Sequence, residues 1–298
     1  MNDETRGRGP FPNPPVIADE VLNRCRETGD YRPVLFEWYN FVGQVCFRLA
    51  SLRAPALHPL QPPHFAVLFG LLNRCARLML SNLKLSCDAD NRNGETTVII
   101  DRCLYESAIK VLWLCKTGSA ENFDSLIAAG LQTELELRRE IEAHIAERGG
   151  DPVVIEKRML ASISKCISSS GLSEQQIKAA KKLPDLASML TMVGLSRLEY
   201  VVGQRMGSHH IHGTWSSLWF HYIDVADDGT FELKDKSAPM DQNEYLLALI
   251  VLRSLKAFVE FVVPAGSIAT SLIEMLDSIE EEIVEIHDEM VAGDYEVA

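Results

Sequence analysis

The stretch TTVIIDRCLYESAIKVLWLCK, residues 96–116, is apolar on most faces at helical spacing. A helix that is hydrophobic nearly all round is buried on nearly all sides. We therefore predict that this helix lies at the centre of a helical bundle. It follows the polar linker DADNRNG (88–94), so it begins at Glu95 or Thr96.

Apolar residues recur at helical spacing on both sides of this stretch, which predicts further helices. Two of them precede it, at 34–52 and 64–85, separated by the breaker APALHPLQPP. Three of those that follow are expected at 122–148, 195–212 and 241–261. Two more are predicted from their N-caps: one begins at Asp151, with Pro152 in the first helical position, and a short one begins after Ser173. The fold class is thus all-α, a multi-helix bundle.

One segment departs from the helical pattern. VADDGTFELKD has a D-G turn between short extended pieces, a pattern typical of a β-hairpin. We predict one small β-hairpin-like insertion near residues 225–235.

Composition divides the chain into three parts. Residues 1–15 are rich in Pro, Gly and polar residues, which predicts a disordered N-terminal arm. Residues 16–265 form a single helical-bundle domain. Residues 266–298 form an acidic C-terminal helix and tail: no Lys or Arg follows Lys256, and eleven acidic residues from Glu260 onward leave a net charge of about −2 on the body, against −13 for the chain.

The seven cysteines include no C-x-x-C pair, which indicates reduced core thiols rather than thiolate zinc or disulfides. The N-terminus lacks the apolar core of a secretory signal, and the apolar windows at 66–72 and 245–252 are too short to cross a bilayer. We expect a cytoplasmic protein without a membrane partner.

Arg102 and Glu106 lie four residues apart in the central stretch, so they share one helix face and could form an ion pair. Because a buried pair is costly unless it is hydrogen-bonded or functional, two interpretations stay open: a structural polar network or the wall of a site.

The segment EYVVGQRMGSHHIHGTW, residues 199–215, is the densest polar cluster in the sequence. At about 100° per residue, Arg205 and His212 fall on one face, with Ser208 four residues before His212 and His209 four residues after Arg205. Its three glycines permit close approach of another backbone or a ligand.

This cluster admits four interpretations. A metal held by His209 and His212 lacks further ligands, and a Ser208 nucleophile lacks the strand-turn-helix context of an esterase. An Arg and a His on one face can cleave RNA without metal, the His moving protons and the Arg stabilising the phosphate. In the fourth interpretation, Arg102, Glu106, Ser208 and His212 form a satisfied buried network.

The Arg205-to-His212 spacing resembles the R-x4–6-H motif of the HEPN superfamily of helical, often dimeric, proteins. More specifically, DRCLYESAIKVLWLCK together with Tyr200, Ser208, His212 and Gly213 is similar to an uncharacterised bacterial all-helical family of unknown function, over roughly residues 35–262.

The resemblance implies a metal-independent HEPN-like ribonuclease of a bacterial defence (phage defence) or toxin type. His212 is then the acid and base, Arg205 the phosphate stabiliser, and Arg102 with Glu106 the orienting pair. Supporting residues are Ser208, His209 and Tyr200.

No cofactor or metal is implied by this hypothesis. The expected partners are RNA, a second copy in a homodimer and an operon-encoded protein. The alternative is a non-catalytic HEPN-like nucleotide-binding or protein-interaction module. Trp215 and Trp219, one turn apart, are expected in the core or an interface rather than stacking on bases.

Overall fold

The computed structural model describes residues 11–52, 57–87, 92–237 and 241–296. The described part of the chain is helical except for one small two-stranded sheet and the connecting loops, which confirms the predicted fold class. The chain folds into two compact units: Met1–Pro59, Phe69–Lys116 and Leu186–Ala298 form the first, and Leu60–Leu68 and Thr117–Asp185 form the second.

The domain boundaries expected from the sequence stay a prediction. Of the arm at 1–15, residues 1–10 lie outside the described residues, and residues 11–15 have no regular secondary structure. No helix in the described ranges is long and apolar enough to cross a membrane.

The first unit contains most of the helices. In chain order they are α1 (Asp19–Thr28), α2 (Arg32–Leu49), α3 (Pro62–Ser86, from Phe69), α4 (Gly94–Thr117), α8 (Leu186–Met192), α9 (Arg197–Tyr200), a π-helical segment (Val201–Met206), α10 (Gly207–Ile211), α11 (Trp215–His221), α12 (Asp241–Val262) and α13 (Ser267–Glu296). The hairpin β1 (Ile223–Val225) and β2 (Phe231–Leu233) lies between α11 and α12.

The central position predicted for α4 is confirmed. Leu104, Ile109 and Trp113, spaced four to five residues apart along the helix, are all fully buried. On α12, the Ser254 hydroxyl donates to the Ala108 carbonyl of α4 at 2.9 Å. A hydroxyl between two buried helices satisfies a polar group without opening the packing.

The predicted helix at 195–212 is interrupted. Ser196 caps α9, the chain then widens into the π-helical segment, and α10 ends at Ile211. Gly213 adopts a left-handed conformation (φ +54°) and separates α10 from α11. Single-turn π segments lie frequently at functional sites.

The hairpin prediction is confirmed. β1 and β2 are antiparallel, and Asp224 faces Glu232 in the ladder. Gly229 lies in the connecting turn with φ +84°, a conformation that costs glycine little.

The second unit is a small helical cluster made of α5 (Ala120–Glu147), α6 (Val154–Ser169) and α7 (Glu174–Ala179). Its core contains Ala128, Leu131, Leu135, Ile163 and Ile177.

The two helix caps predicted for this unit have different outcomes. The Ser173 cap of α7 is confirmed, since its hydroxyl accepts from the Gln176 backbone N–H. The Asp151 cap of α6 is wrong, because the N-cap residue is Val153, whose N–H is satisfied by Glu156 from inside the helix at 2.9 Å.

Candidate functional site

A cavity of about 340 Å³ lies within the first unit, between α4, the run from α9 to α11, and α12. Most of its wall is apolar. The principal apolar residues are Val98, Leu198, Val202, Met206, Leu246 and Ile250. The polar groups of the wall are Asp101, Arg102, Glu199, His209, His210 and Asn243, together with Arg253. A mainly apolar cavity with a few convergent polar groups is the usual form of a small-molecule site.

Two glycines let the α9-to-α10 run press against α4. A Cβ on Gly203 would overlap the Tyr105 ring, and one on Gly207 would lie 2.8 Å from the Cβ of Arg102. The Tyr105 hydroxyl donates to the Glu199 carbonyl at 2.9 Å beside this contact. The close approach expected from the sequence thus occurs at Gly203 and Gly207, although to side chains rather than to a backbone or a ligand, and nothing lies within 4 Å of a Cβ at Gly213.

Arg102 is an unpaired cation in the cavity wall. Its Nε is buried and has no hydrogen-bond partner, and none of the described residues forms an ion pair with its guanidinium. The ion pair that the sequence allowed with Glu106 does not form, because Glu106 accepts from Lys110, one turn further along α4, at 2.7 Å. Since Lys110 takes this carboxylate, Arg102 is left in the cavity wall without it.

Asp101 is buried in the same wall. Asn82 donates to one carboxylate oxygen at 2.5 Å, and Asn243 donates to the other at 3.0 Å. Burial raises the pKa of Asp101 to about 7, although both amide hydrogen bonds lower it. Sequence reasoning did not select Asp101, although an Asp within a helix that is apolar on most faces was a usable signal.

His210 and His221 form a buried pair behind the cavity. The Nε2 of His221 and the Nδ1 of His210 are 3.0 Å apart, and the Nδ1 of His221 is hydrogen-bonded to the Ser237 hydroxyl. Burial lowers the pKa of both histidines. Sequence reasoning gave neither histidine a role.

Glu95 lies close to the histidine pair. It accepts hydrogen bonds from Ser217 and, at 2.6 Å, from Tyr222. Burial raises the pKa of Glu95, but the two hydrogen bonds and the nearby histidines outweigh it and hold the pKa below its usual value. A carboxylate is thus fixed beside His210 and His221.

The remaining residues predicted from the sequence lie outside the cavity lining, namely Glu106, Tyr200, Arg205, Ser208 and His212. Arg205 and His212 have exposed side chains, and the His212 backbone N–H donates to the Ser208 carbonyl. His209 lines the cavity, and its Nδ1 lies 2.9 Å from the Thr214 hydroxyl.

The buried network proposed for Arg102, Glu106, Ser208 and His212 is wrong. The Ser208 hydroxyl donates to the Gln204 carbonyl at 3.0 Å, and the Arg102 guanidinium has no described partner. Because His212 is exposed, it contributes no buried contact to such a network.

The aromatic pair on α11 does not lie in the core. Trp215 is 59% exposed and Trp219 41% exposed, so the core half of the expectation is wrong. Their ring centroids are 6.2 Å apart. Large exposed aromatic side chains mark contact surfaces more often than chance, so the interface half of the expectation stays a prediction.

A family model of proteins of unknown function (DUF5677) matches residues 65–231. The chain belongs to this family. The matched part of this DUF5677 protein begins in α3, ends in β2, and includes every cavity residue contributed by α4 and by the run from α9 to α11. The α12 side of the cavity lies beyond it. No curated protein and no solved structure matches the chain.

Proposed function

We propose that this DUF5677 protein is a non-catalytic binding module for a small organic anion with an apolar body. The observation that carries the proposal is the guanidinium of Arg102, which has a buried Nε and no partner among the described residues, in the wall of a mainly apolar cavity. The sequence left open a non-catalytic nucleotide-binding or protein-interaction module. The proposal keeps the binding role and takes a different ligand class from the charge and the apolar residues of the wall.

The charge argument rests on the cost of partly removing a cation from water, since Arg102 is half-buried and its Nε is fully buried. An ionised group with part of its surface removed from water is destabilising unless a counter-charge or hydrogen bonds compensate. Arg253, which also lines the cavity, donates to Glu199 at 3.2 Å and is compensated. A ligand carboxylate or phosphate would supply the missing partner of Arg102 by charge-assisted hydrogen bonds.

The apolar wall determines the rest of the ligand. Leu247 and Ile250 close the inner side of the cavity, and the half-exposed Phe220 lies at its margin with Leu198, which is 69% exposed. The volume is at the lower end of the range for small-molecule sites, about 300–1,000 Å³. The cavity therefore suits a small ligand, which would enter and leave past the exposed apolar side chains at the margin.

The HEPN-like ribonuclease hypothesis is a proposal for a different surface. The exposure of Arg205 and His212 supports it, because RNA would reach both from solvent. Inducible expression of the wild type beside Arg205→Ala and His212→Ala tests it through growth and total RNA integrity. Growth arrest with RNA loss in the wild type alone supports the nuclease, and equal growth with intact RNA in all three opposes it.

NMR spectroscopy tests the binding proposal directly. We expect 4-phenylbutanoate to shift the Arg102 Nε–H resonance and the methyl resonances of Val98, Val202 and Ile250, and adenosine monophosphate shows whether a nucleotide fills the same cavity. Arg102→Gln should weaken binding, so that the methyl shifts need at least about tenfold more 4-phenylbutanoate, whereas Arg158→Gln, at an exposed arginine of α6, should retain the wild-type response. Absence of cavity shifts at millimolar ligand would contradict the proposal.

A further inference from the structure

Three side chains from three separate parts of the first unit form one hydrogen-bonded chain that begins at the cavity. His210 of α10 lines the cavity, its Nδ1 is bonded to His221 of α11, and His221 is bonded to Ser237, which follows β2. Because Nδ1 of His210 is occupied, Nε2 is the ring nitrogen left for a ligand. The Ser237 carbonyl accepts from the Gly94 N–H at 2.9 Å, which ties the end of the chain to the start of α4.

The chain can accept one proton without losing a hydrogen bond. With both rings neutral, Ser237 donates to His221, His221 donates to Nδ1 of His210, and Nε2 of His210 carries a hydrogen. When His210 gains a proton, its Nδ1–H donates to His221 and the Nδ1–H of His221 donates to the Ser237 oxygen. Both hydrogen bonds survive with their direction reversed, so the usual cost of protonating a buried histidine is reduced.

His210 lies within reach of the same ligand group as Arg102. Gly207 packs against the Arg102 stem, and His210 follows Gly207 by three residues, which places it on the same face of α10. Both side chains line one cavity. A planar carboxylate has two oxygens, one for each donor.

We propose that the cavity binds a carboxylic acid as a carboxylate together with a proton, with Arg102 and His210 holding the carboxylate and the His210–His221–Ser237 chain taking up the proton. This inference rests on the proposed function and adds the ligand's acidic group and the pH dependence of its binding.

The charged groups around the pair decide the direction of the pH effect. Glu95 of α4 favours a protonated His210, whereas His209 of α10 opposes it, and Lys234 after β2 opposes protonation of His221. Arg102 and Asp101 of α4 also face the cavity, as do Glu199 of α9 and Arg253 of α12. A bound carboxylate adds the negative charge that shifts this balance toward the protonated ring.

The expected pH profile follows from linkage. Since burial holds the pKa of His210 below its usual value in the free protein and the carboxylate raises it, binding takes up a proton between the two pKa values. The Kd for 4-phenylbutanoate should then rise with pH by up to about tenfold per unit within that window. The neutral 4-phenylbutanamide should show no such dependence from His210.

Calorimetry in two buffers of different ionisation enthalpy, from pH 5.5 to 8, measures the protons taken up with 4-phenylbutanoate. We expect uptake approaching about one proton in the wild type, weaker binding with loss of that uptake in His210→Gln, and unchanged binding and uptake in His144→Gln, at an exposed histidine of α5. If binding occurs without uptake, the inference is wrong. If His210→Gln takes up as many protons as the wild type, the proton goes to another group, of which Asp101 is the first candidate, and the inference is again wrong.

Two further results separate this inference from the proposed function. If 4-phenylbutanoate binds at no pH, the proposed function itself fails. If His210→Gln does not fold, the imidazole resonances of His210 in the wild type carry the test: its titration midpoint should move up on binding, and an unmoved midpoint overturns the inference.

Discussion

Asp101 illustrates how one buried group links stability to pH. Its pKa is raised to about 7 in the folded protein, from 3.8 as the ordinary value. Between these two values the folded state holds a proton that the unfolded state has lost. Because folding takes up this proton, Asp101 makes the protein less stable as pH rises from about 4 to about 7, and its contribution levels off above that.

We expect Asp101→Asn to remove this contribution. The free energy of unfolding of the wild type should fall relative to the variant by up to about 1.4 kcal/mol per pH unit between pH 4.5 and 6.5. Urea unfolding at a series of pH values measures it, with the exposed Asp151→Asn as the control. Parallel profiles for wild type and Asp101→Asn would show that Asp101 is not a buried acid.

A second single-residue prediction concerns Gly207. Alanine there would place Cβ 2.8 Å from the Cβ of Arg102, so α10 or the Arg102 stem must move. We expect a loss of about 1–3 kcal/mol in stability and at least tenfold weaker binding of 4-phenylbutanoate, both measured on purified protein. Gly130→Ala is the matched control on α5.

The control should have the opposite sign. Nothing lies within 4 Å of a Cβ at Gly130, and alanine is the better helix former by about 0.5–1 kcal/mol. A Gly207→Ala protein as stable as the wild type, with unchanged affinity, would mean that the contact does not position Arg102.

The short helix α9 forms one edge of the cavity, because it supplies Leu198 and Glu199 to the wall. Ser196 caps it: its hydroxyl accepts from the Glu199 N–H at 3.2 Å, and the Glu199 carboxylate accepts from the Ser196 N–H. This reciprocal capping box satisfies two backbone donors of a helix only four residues long.

We expect Ser196→Ala to lower the free energy of unfolding by about 1 kcal/mol and to increase the exchange of the α9 amides with solvent. Hydrogen exchange followed by mass spectrometry measures the second effect locally. Ser164→Ala is the control, since the Ser164 hydroxyl only donates to the Leu160 carbonyl within α6. Equal exchange of α9 in wild type and Ser196→Ala would contradict the capping role.

Helix positions were more predictable than helix ends or interruptions. Periodicity located α4 and α12 because their apolar faces are long and continuous. The π-helical segment was missed. It contains Gly203, which packs against the ring of Tyr105, a residue 98 positions away in sequence that helical periodicity does not place there. The cap of α6 was misplaced because the Asp-Pro pattern at 151–152 competes with Glu156, which satisfies the Val153 N–H from inside the helix.

In the molecule as a whole, the acidic helix α13 is part of the first unit rather than a free tail. Leu276, Ile279 and Ile283 are buried along one face, while Glu289 is bonded to Arg26 at 2.5 Å and to Tyr31 at 2.9 Å. Glu274, Glu282 and Glu285 are exposed, whereas the apolar face of the same helix is packed. Half-exposed ion pairs of this kind contribute little, so the apolar face provides most of the attachment.

Leu276→Ala should therefore destabilise the protein by about 2–5 kcal/mol, whereas Glu282→Ala, at an exposed position of the same helix, should be within about 0.5 kcal/mol of the wild type. Thermal unfolding of both variants compares them. Similar melting temperatures for Leu276→Ala and the wild type would show that α13 is dispensable for the first unit.

The cavity itself is a property of the whole first unit, which limits what sequence could reveal. Arg102, selected from the sequence, lies in the cavity wall, but it does not pair with Glu106, because Lys110 of the same helix does. The Asp101–Asn243 and His221–His210 contacts join different elements. Local periodicity does not show which residues of different elements contact each other. The sequence therefore did not predict the His210–His221 contact, whereas it selected Arg205 and His212, which are exposed.

The proposed function depends on Arg102 as the cation that binds the ligand's anionic group. Its sharpest test is the Kd of 4-phenylbutanoate and of 4-phenylbutanamide for the wild type and for Arg102→Gln, by calorimetry at pH 6.5 and two salt concentrations. We predict that the wild type prefers the carboxylate by at least about tenfold, about 1.4 kcal/mol, and that Arg102→Gln loses this preference while still binding the amide. Equal affinity of the wild type for the two compounds, or an unchanged preference in Arg102→Gln, would show that Arg102 does not have this role.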